Sequence, residues 1–165
     1  METPLLELKE LKKHFAHRGR LFAGEKGLIR AVDGVDLEIR TGETLGLVGE
    51  SGCGKTTLGR LIMRLEEPTS GSIRFAGEDV ARREKASLKG YRRKVQMIFQ
   101  DPYSSLNPRK TAGGIIGEPL LIHHPELRRE IRQKTIELMA VVGLDEEQFL
   151  RYPHEFSGGQ RQRIG

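Results

Sequence analysis

One cysteine, Cys53, is all that the chain carries, and tryptophan is absent. A lone thiol cannot form an internal disulfide framework, nor complete by itself a zinc site of the usual four-ligand kind. No apolar run approaches the ~18 to 20 residues that a membrane-spanning helix needs. The opening Met1-Glu2-Thr3-Pro4 lacks the basic-then-apolar pattern of a signal peptide. A cytoplasmic, reducing setting is therefore expected. Aromatic residues are also scarce, at 5% of the sequence, which bears on how the net charge of +5 is read. Such a charge invites a nucleic-acid partner. Yet the densest basic stretch, Arg82, Arg83, Lys85, Lys89, Arg92, Arg93 and Lys94, is interrupted by Glu84 and has Tyr91 as its one nearby aromatic. Without stacking side chains it reads as the solvated face of a partly helical segment, and no nucleic acid is expected as a partner. Arg128, Arg129, Arg132 and Lys134 read likewise as the polar side of a helix.

What the chain does have is periodicity. Leu6 and Leu8 alternate with Glu7 and Lys9, and Val35, Leu37 and Ile39 alternate with Asp36, Glu38 and Arg40, which predicts half-buried strands of an outer β layer. Between them, residues 16–30 carry Gly19, Gly24 and Gly27 among several charges and read as a hairpin or loop insertion. Thr44-Leu45-Gly46-Leu47-Val48 predicts a buried strand, and Leu58, Leu61, Ile62 and Leu65 give helical spacing over residues 57–65. A turn at Pro68-Thr69-Ser70-Gly71 precedes a strand over residues 72–75, and a further turn follows near Gly77-Glu78-Asp79. Val95-Gln96-Met97-Ile98-Phe99 predicts a second buried strand. Residues 101–110 form a loop rich in Pro, Asn and Ser, and from Ala112 the pattern is helical. There Leu127, Ile131, Leu138 and Val142 make one apolar stripe that stops at Gly143.

Chemistry concentrates in two segments. Gly49-Glu50-Ser51-Gly52-Cys53-Gly54-Lys55-Thr56 fits G-x-x-x-x-G-K-[ST] between a predicted strand and a predicted helix, the setting of a P-loop or Walker A motif. Its glycines let the backbone approach phosphates, and Gly52, Cys53, Gly54 and Lys55 turn N–H donors inward. Lys55 supplies charge for the β- and γ-phosphates, Thr56 a hydroxyl for Mg²⁺, and Thr57 lies close enough for the α-phosphate. ATP with Mg²⁺ is the expected ligand. The second segment, Ser157-Gly158-Gly159-Gln160, sets a hydroxyl, N–H groups and the positive end of a helix toward an anion.

The chain resembles the ATP-binding-cassette (ABC) ATPases. Phe156-Ser157-Gly158-Gly159-Gln160-Arg161-Gln162-Arg163 matches their signature with Phe in place of the usual Leu, and Gln100 follows an apolar stretch as their Q-loop glutamine does. The resemblance implies an α/β P-loop NTPase fold of the ABC type: an antiparallel β layer, an incomplete parallel core sheet and a helical subdomain. Residues 1–100 would form the ATP-binding core, residues 101–156 the helical subdomain, and residues 157–165 the signature motif with the start of its helix. It further implies that Phe15 stacks on adenine, that Gln100 joins Lys55 in catalysis and Thr56 at the metal, and that Ser157 to Gln160 cover the γ-phosphate held by a second ABC subunit. Phe99-Gln100-Asp101-Pro102-Tyr103-Ser104-Ser105-Leu106-Asn107-Pro108-Arg109, together with Glu118-Pro119-Leu120 and Arg151-Tyr152-Pro153-His154-Glu155, looks like the oligopeptide and dipeptide importer branch. The stretch from Ala31-Val32-Asp33-Gly34-Val35 to Gly59-Arg60 is most similar to that branch's F-type ATPase subunit. Such a subunit is peripheral on the cytoplasmic membrane face and docks on transmembrane permease subunits, with 103–106 where a coupling helix would sit. Those subunits receive cargo from an extracytoplasmic substrate-binding protein.

Family members continue past the signature helix with an apolar strand ending in aspartate, a catalytic glutamate, a dimer-contact loop and a switch histidine. None falls within the 165 residues. The reading at this level is an N-terminal fragment holding the nucleotide-binding half and not hydrolytically competent alone. Two alternatives stay open beside the importer: a soluble ABC-type ATPase acting on nucleic acid or ribosomes, and a non-catalytic nucleotide-binding fragment.

Overall fold

In the computed structural model, residues 3–17, 27–99 and 105–165 are described. The chain falls into two units, Met1–Met97 and Ile98–Gly165. In the first, the alternation of apolar and charged residues yields strands β1 (Leu6–His17) and β2 (Gly27–Ile39), paired antiparallel, so that residues 16 and 17 and 27–30 extend the two strands. Residues 18–26 lie outside the described set. Strand β3 (Ser70–Phe75) pairs antiparallel with β1, and the two-residue β4 (Glu78–Asp79) pairs with β3, giving the order β2-β1-β3-β4. Leu6 and Leu8 of β1 and Ile73 of β3 turn one face of this sheet into a core completed by Leu58 and Leu61 of helix α1 (Lys55–Ile62). Side chains this buried each contribute about 1.5–3 kcal/mol.

The β1 ladder is broken by register shifts between Leu8 and Leu11 and again near Lys12 to His14. Glu10 takes φ 46° there, and its N–H donates to Asp36 Oδ1 at 2.7 Å. A bulge of this kind bends the strand and sharpens its twist. Gly71 lies directly beneath it, at φ +90°.

Two expected core strands are not strands. Residues 44–48 and 95–99 form no regular element and have no ladder partner among the described residues, and Val48 and Ile98 are 91% and 93% exposed. A strand exists through its neighbours' hydrogen bonds, and apolar composition alone supplies none. The antiparallel layer is therefore the sheet the described residues form. The expected turn at residues 77–79 is shorter than anticipated, because Glu78 and Asp79 already pair back on β3.

A 3₁₀ turn (Lys85–Leu88) leads into helix α2 (Lys89–Lys94), and the buried Leu88 of the turn and Tyr91 of the helix anchor the basic stretch to the core. Arg82, Lys89, Arg93 and Lys94 are exposed, whereas the half-buried Arg92 donates to the Arg64 carbonyl at 3.1 Å. Tyr91 meets Phe75 edge-on at 5.4 Å, and its hydroxyl donates to the Ile62 carbonyl. Desolvation pushes the Tyr91 phenol up to about 12, with Arg64 pulling the other way. A raised folded-state value means stability that is complete below the unfolded value near 10 and is lost as pH rises from there toward 12. Chemical denaturation of the wild type and of Tyr91→Phe between pH 8 and 12 is expected to show a steeper alkaline loss for the wild type. Parallel profiles would contradict the assignment.

The second unit is helical: α3 (Ala112–His123), a 3₁₀ turn (Pro125–Arg129), α4 (Ile131–Val141) and α5 (Gly158–Ile164). Thr111 caps α3 by accepting from the Gly114 N–H at 3.2 Å. The apolar stripe read from the sequence is displaced. Leu127 belongs to the turn before α4, and Leu138 and Val142 are exposed, whereas Thr135 and Met139 are buried. With α4 starting at Ile131, positions 131, 135 and 139 share a face. A Cβ on Gly117 would stand 3.2 Å from Ile131 and 3.0 Å from Thr135, so α3 meets that face at a glycine. Gly143 does end the helix, at φ +68°.

Candidate functional site

The loop over residues 49–54 turns on glycines. Gly52 and Gly54 sit at φ +84° and +97°, a region open to glycine at little cost, and Gly54 is the residue from which α1 starts. A Cβ on Gly54 would come within 2.1 Å of the Ala31 carbonyl, so β2 passes directly under the loop. Lys55, the first residue of α1, folds back over it. Its ammonium donates to the carbonyls of Gly49 and Glu50, both at 2.6 Å, and lies 3.4 Å from Cys53 Sγ. Thr56 is exposed on the opening turn and Thr57 half-buried behind it, while Glu50, Ser51, Gly52 and Cys53 are exposed. The loop thus presents a lysine charge and glycine backbone to one space, while the Thr56 and Thr57 hydroxyls are not among the residues that line it and the Cys53 N–H donates to the Glu50 carbonyl at 3.3 Å.

That space is a cavity of about 340 Å³ lined by Cys53, Gly54, Lys55 and Leu58 on the loop side, Leu47 and Val48 before it, and residues 30–33 and Val35 of β2. The contribution of β2 was not legible as a site. Val35 read as strand and residues 31–34 only as the start of the stretch similar to an F-type subunit, and the signal that they do more is Asp33-Gly34, a polar pair with Gly34 at φ +73° between Val32 and Val35. His14 Nε2 donates to Asp33 Oδ1 at 2.9 Å, and Arg30 Nη1 approaches Asp33 Oδ2 at 3.3 Å. The His14 hydrogen bond, outweighing desolvation and aided by Arg30, holds the Asp33 carboxyl below the usual carboxylate range. Phe15 is not among the cavity's lining residues. Its ring is half-exposed under the Lys13 ammonium, 4.8 Å from the centroid. Gln100 and 101–104 fall outside the described residues.

A family model described as ABC transporter matches residues 32–165, more than three quarters of the chain. The chain belongs to the ABC transporter family. Among its relatives, the oligopeptide transport ATP-binding protein AppF of Bacillus subtilis (strain 168) is 52% identical over 99% of this chain and 50% of its own length. The oligopeptide transport ATP-binding protein OppF of the same organism is 53% identical over 100% of this chain and 52% of its own length. The dipeptide transport ATP-binding protein DppF of Escherichia coli (strain K12) is 48% identical over 99% and 49%. The chain spans about half the length of the curated relatives it matches. A solved dimeric post-hydrolysis structure of the ATP-binding cassette MJ0796, bound to ADP and Pi, superposes with a TM-score of 0.79 at 28% identity, covering 96% of this chain and 66% of that one. The fold is thus that of an ABC nucleotide-binding domain.

In the second unit the Ser157-Gly158-Gly159-Gln160 segment is built as a cap. Ser157 Oγ accepts from the Gln160 N–H at 3.3 Å, and Gln160 Oε1 accepts from the Ser157 N–H at 3.0 Å, a reciprocal capping box that opens α5. Gly158 and Gly159 are therefore the first residues of that helix, and a Cβ at either would meet nothing within 4 Å. Phe156 is buried in the helical core with Met139 and Leu144, so it anchors the segment to that core.

Proposed function

We propose that this chain is the nucleotide-binding half of an ABC subunit that energises a peptide-type importer, and that residues 49–57 hold Mg·ATP. The carrying observation is the Lys55 ammonium set over a glycine turn at the start of α1, on a cavity large enough for a nucleotide. On this reading Gly52, Cys53, Gly54 and Lys55 bind the β- and γ-phosphates through backbone N–H groups and one cation. Thr57 reaches the α-phosphate. The exposed Thr56 hydroxyl, a hard oxygen donor on the first turn of α1, would hold Mg²⁺ beside the phosphates. Bound there, the metal would neutralise negative charge on the phosphates. Gln100 would sense the γ-phosphate, and Ser157 to Gln160 would close on the nucleotide of a second ABC subunit. Permease subunits at the cytoplasmic membrane face, supplied by an extracytoplasmic substrate-binding protein, complete the assembly. The oligopeptide and dipeptide transport roles of the relatives support peptides as cargo over the soluble ATPase alternative.

Calorimetric titration with Mg·ATP tests the site, and one saturable binding event per chain is expected. Cys53 gives an independent reading, because its exposed sulfur lines the same cavity. Bound Mg·ATP is expected to slow alkylation of Cys53 several-fold, and alkylated chain is expected to have lost nucleotide binding. Equal labelling rates with and without Mg·ATP would remove the loop from the site. For the importer reading, uptake of labelled oligopeptide should be lost when the gene is deleted and restored by the wild-type gene alone.

A further inference from the structure

We propose that Asp33 is a specificity-determining residue of the cavity, its carboxylate accepting a hydrogen bond from a donor group of the nucleoside, either a ribose hydroxyl or a base amine. This rests on the cavity being a nucleotide site. A triphosphate drawn to Lys55 leaves its nucleoside to run along the other lining residues. Ala31, Val32, Val35, Leu47, Val48 and Leu58 offer no polar side-chain atom there, and Arg30 can only donate. Asp33 is therefore the one strong side-chain acceptor among the described lining residues.

Its chemistry suits the task. Held below the usual carboxylate range by His14, the group is ionised at neutral pH and acts purely as an acceptor. A carboxylate has roughly four acceptor positions. Here Oδ1 takes His14 and Oδ2 faces Arg30, so about half remain for a ligand. The side chain is 40% exposed, so these positions are open. A bare carboxylate beside a polyanion would weaken binding through repulsion. The Arg30 guanidinium, 3.3 Å from Oδ2, offsets that charge, and the His14 hydrogen bond ties Oδ1 to the neighbouring strand. The wall is also fixed relative to the phosphate loop, since the Ala31 carbonyl, two residues from Asp33, is the group against which Gly54 is packed. The nucleoside end and the phosphate end of the cavity are thus set by one stretch of backbone.

The test is calorimetric, on the full chain, comparing Mg·ATP with Mg·2′-deoxy-ATP, Mg·3′-deoxy-ATP, Mg·ITP and magnesium tripolyphosphate, for the wild type, Asp33→Asn and Asp33→Ala. The wild type is expected to prefer ATP by about tenfold over at least one analogue lacking a donor, the gain typical of a hydrogen bond to a charged group. The deoxy arms identify a ribose contact and the inosine arm a base contact. In the variants that preference is expected to fall to about one while tripolyphosphate affinity stays unchanged. The ratio is read from whichever variant retains tripolyphosphate binding. If the wild type binds all four nucleotides alike, or if the variants keep its preference, Asp33 has no such role. If the wild type binds neither tripolyphosphate nor ATP, the nucleotide site itself is overturned and Asp33 with it.

Discussion

Replacing Lys55 by alanine is expected to lower Mg·ATP affinity at least a hundredfold, to the point where calorimetry no longer detects saturation. Two losses combine. The variant removes the one side-chain cation that lines the loop side of the cavity, and charge-assisted hydrogen bonds to phosphate are about twice as strong as neutral ones. It also removes the two hydrogen bonds by which the ammonium ties Gly49 and Glu50 to the start of α1, so the loop's N–H groups lose the arrangement that makes them a cradle. Lys55→Arg separates the two effects, because it keeps the charge but presents a planar fork in place of a compact ammonium. Its affinity should fall between the two. A folded Lys55→Ala chain that binds Mg·ATP as the wild type does would end the assignment of this loop.

Gly71→Ala is expected to unfold much of the β layer, at a cost of about 3 kcal/mol or more in denaturant titration. At φ +90° any Cβ is strained, and here it would also lie 2.4 Å from the Glu10 carbonyl oxygen and 2.6 Å from Leu11 Cα. Both clashes are with backbone, so no side-chain rotation relieves them. The β1 bulge would have to move, carrying Leu8 and Leu11 out of the core they share with Ile73. Gly77→Ala is the matched control, with φ +80° but nothing within 4 Å of its Cβ, and is expected to cost only the conformational penalty of about 1–2 kcal/mol. Equal losses for the two would show that the bulge does not press on Gly71.

What the sequence made legible is local. The period-two alternation around Leu6 and Val35, the glycine spacing before Lys55 and the Ser157 to Gln160 cap each contain their own cause within a few residues, and each is where the pattern puts it. The failures are non-local. Residues 44–48 and 95–99 have strand composition, yet pairing depends on partners that composition does not reveal. In the α4 stripe, Leu127 is lost to the 3₁₀ turn before Ile131, and Leu138 and Val142 mislead because the face that meets α3 at Gly117 is that of Ile131 and Thr135, a neighbour that periodicity does not reveal. At the site, the loop was readable and the β2 wall was not, because Asp33 lies before the alternation that begins at Val35 and nothing local ties it to the loop until the Ala31 carbonyl is found against Gly54.

The hold that Lys55 keeps on the Gly49 and Glu50 carbonyls makes ligand entry an exchange rather than a simple addition. A phosphate oxygen that recruits the ammonium must displace at least one of these contacts, so part of the heat released on the new bond is spent on breaking the old one. The measured enthalpy should therefore be modest for so charged a ligand. Raising ionic strength, which screens the phosphate and leaves short intramolecular contacts nearly untouched, should tilt the competition back toward the loop's own carbonyls. The lysine is in this sense a built-in competitor: it keeps the cradle in shape and sets the threshold that an anion must exceed to be held there.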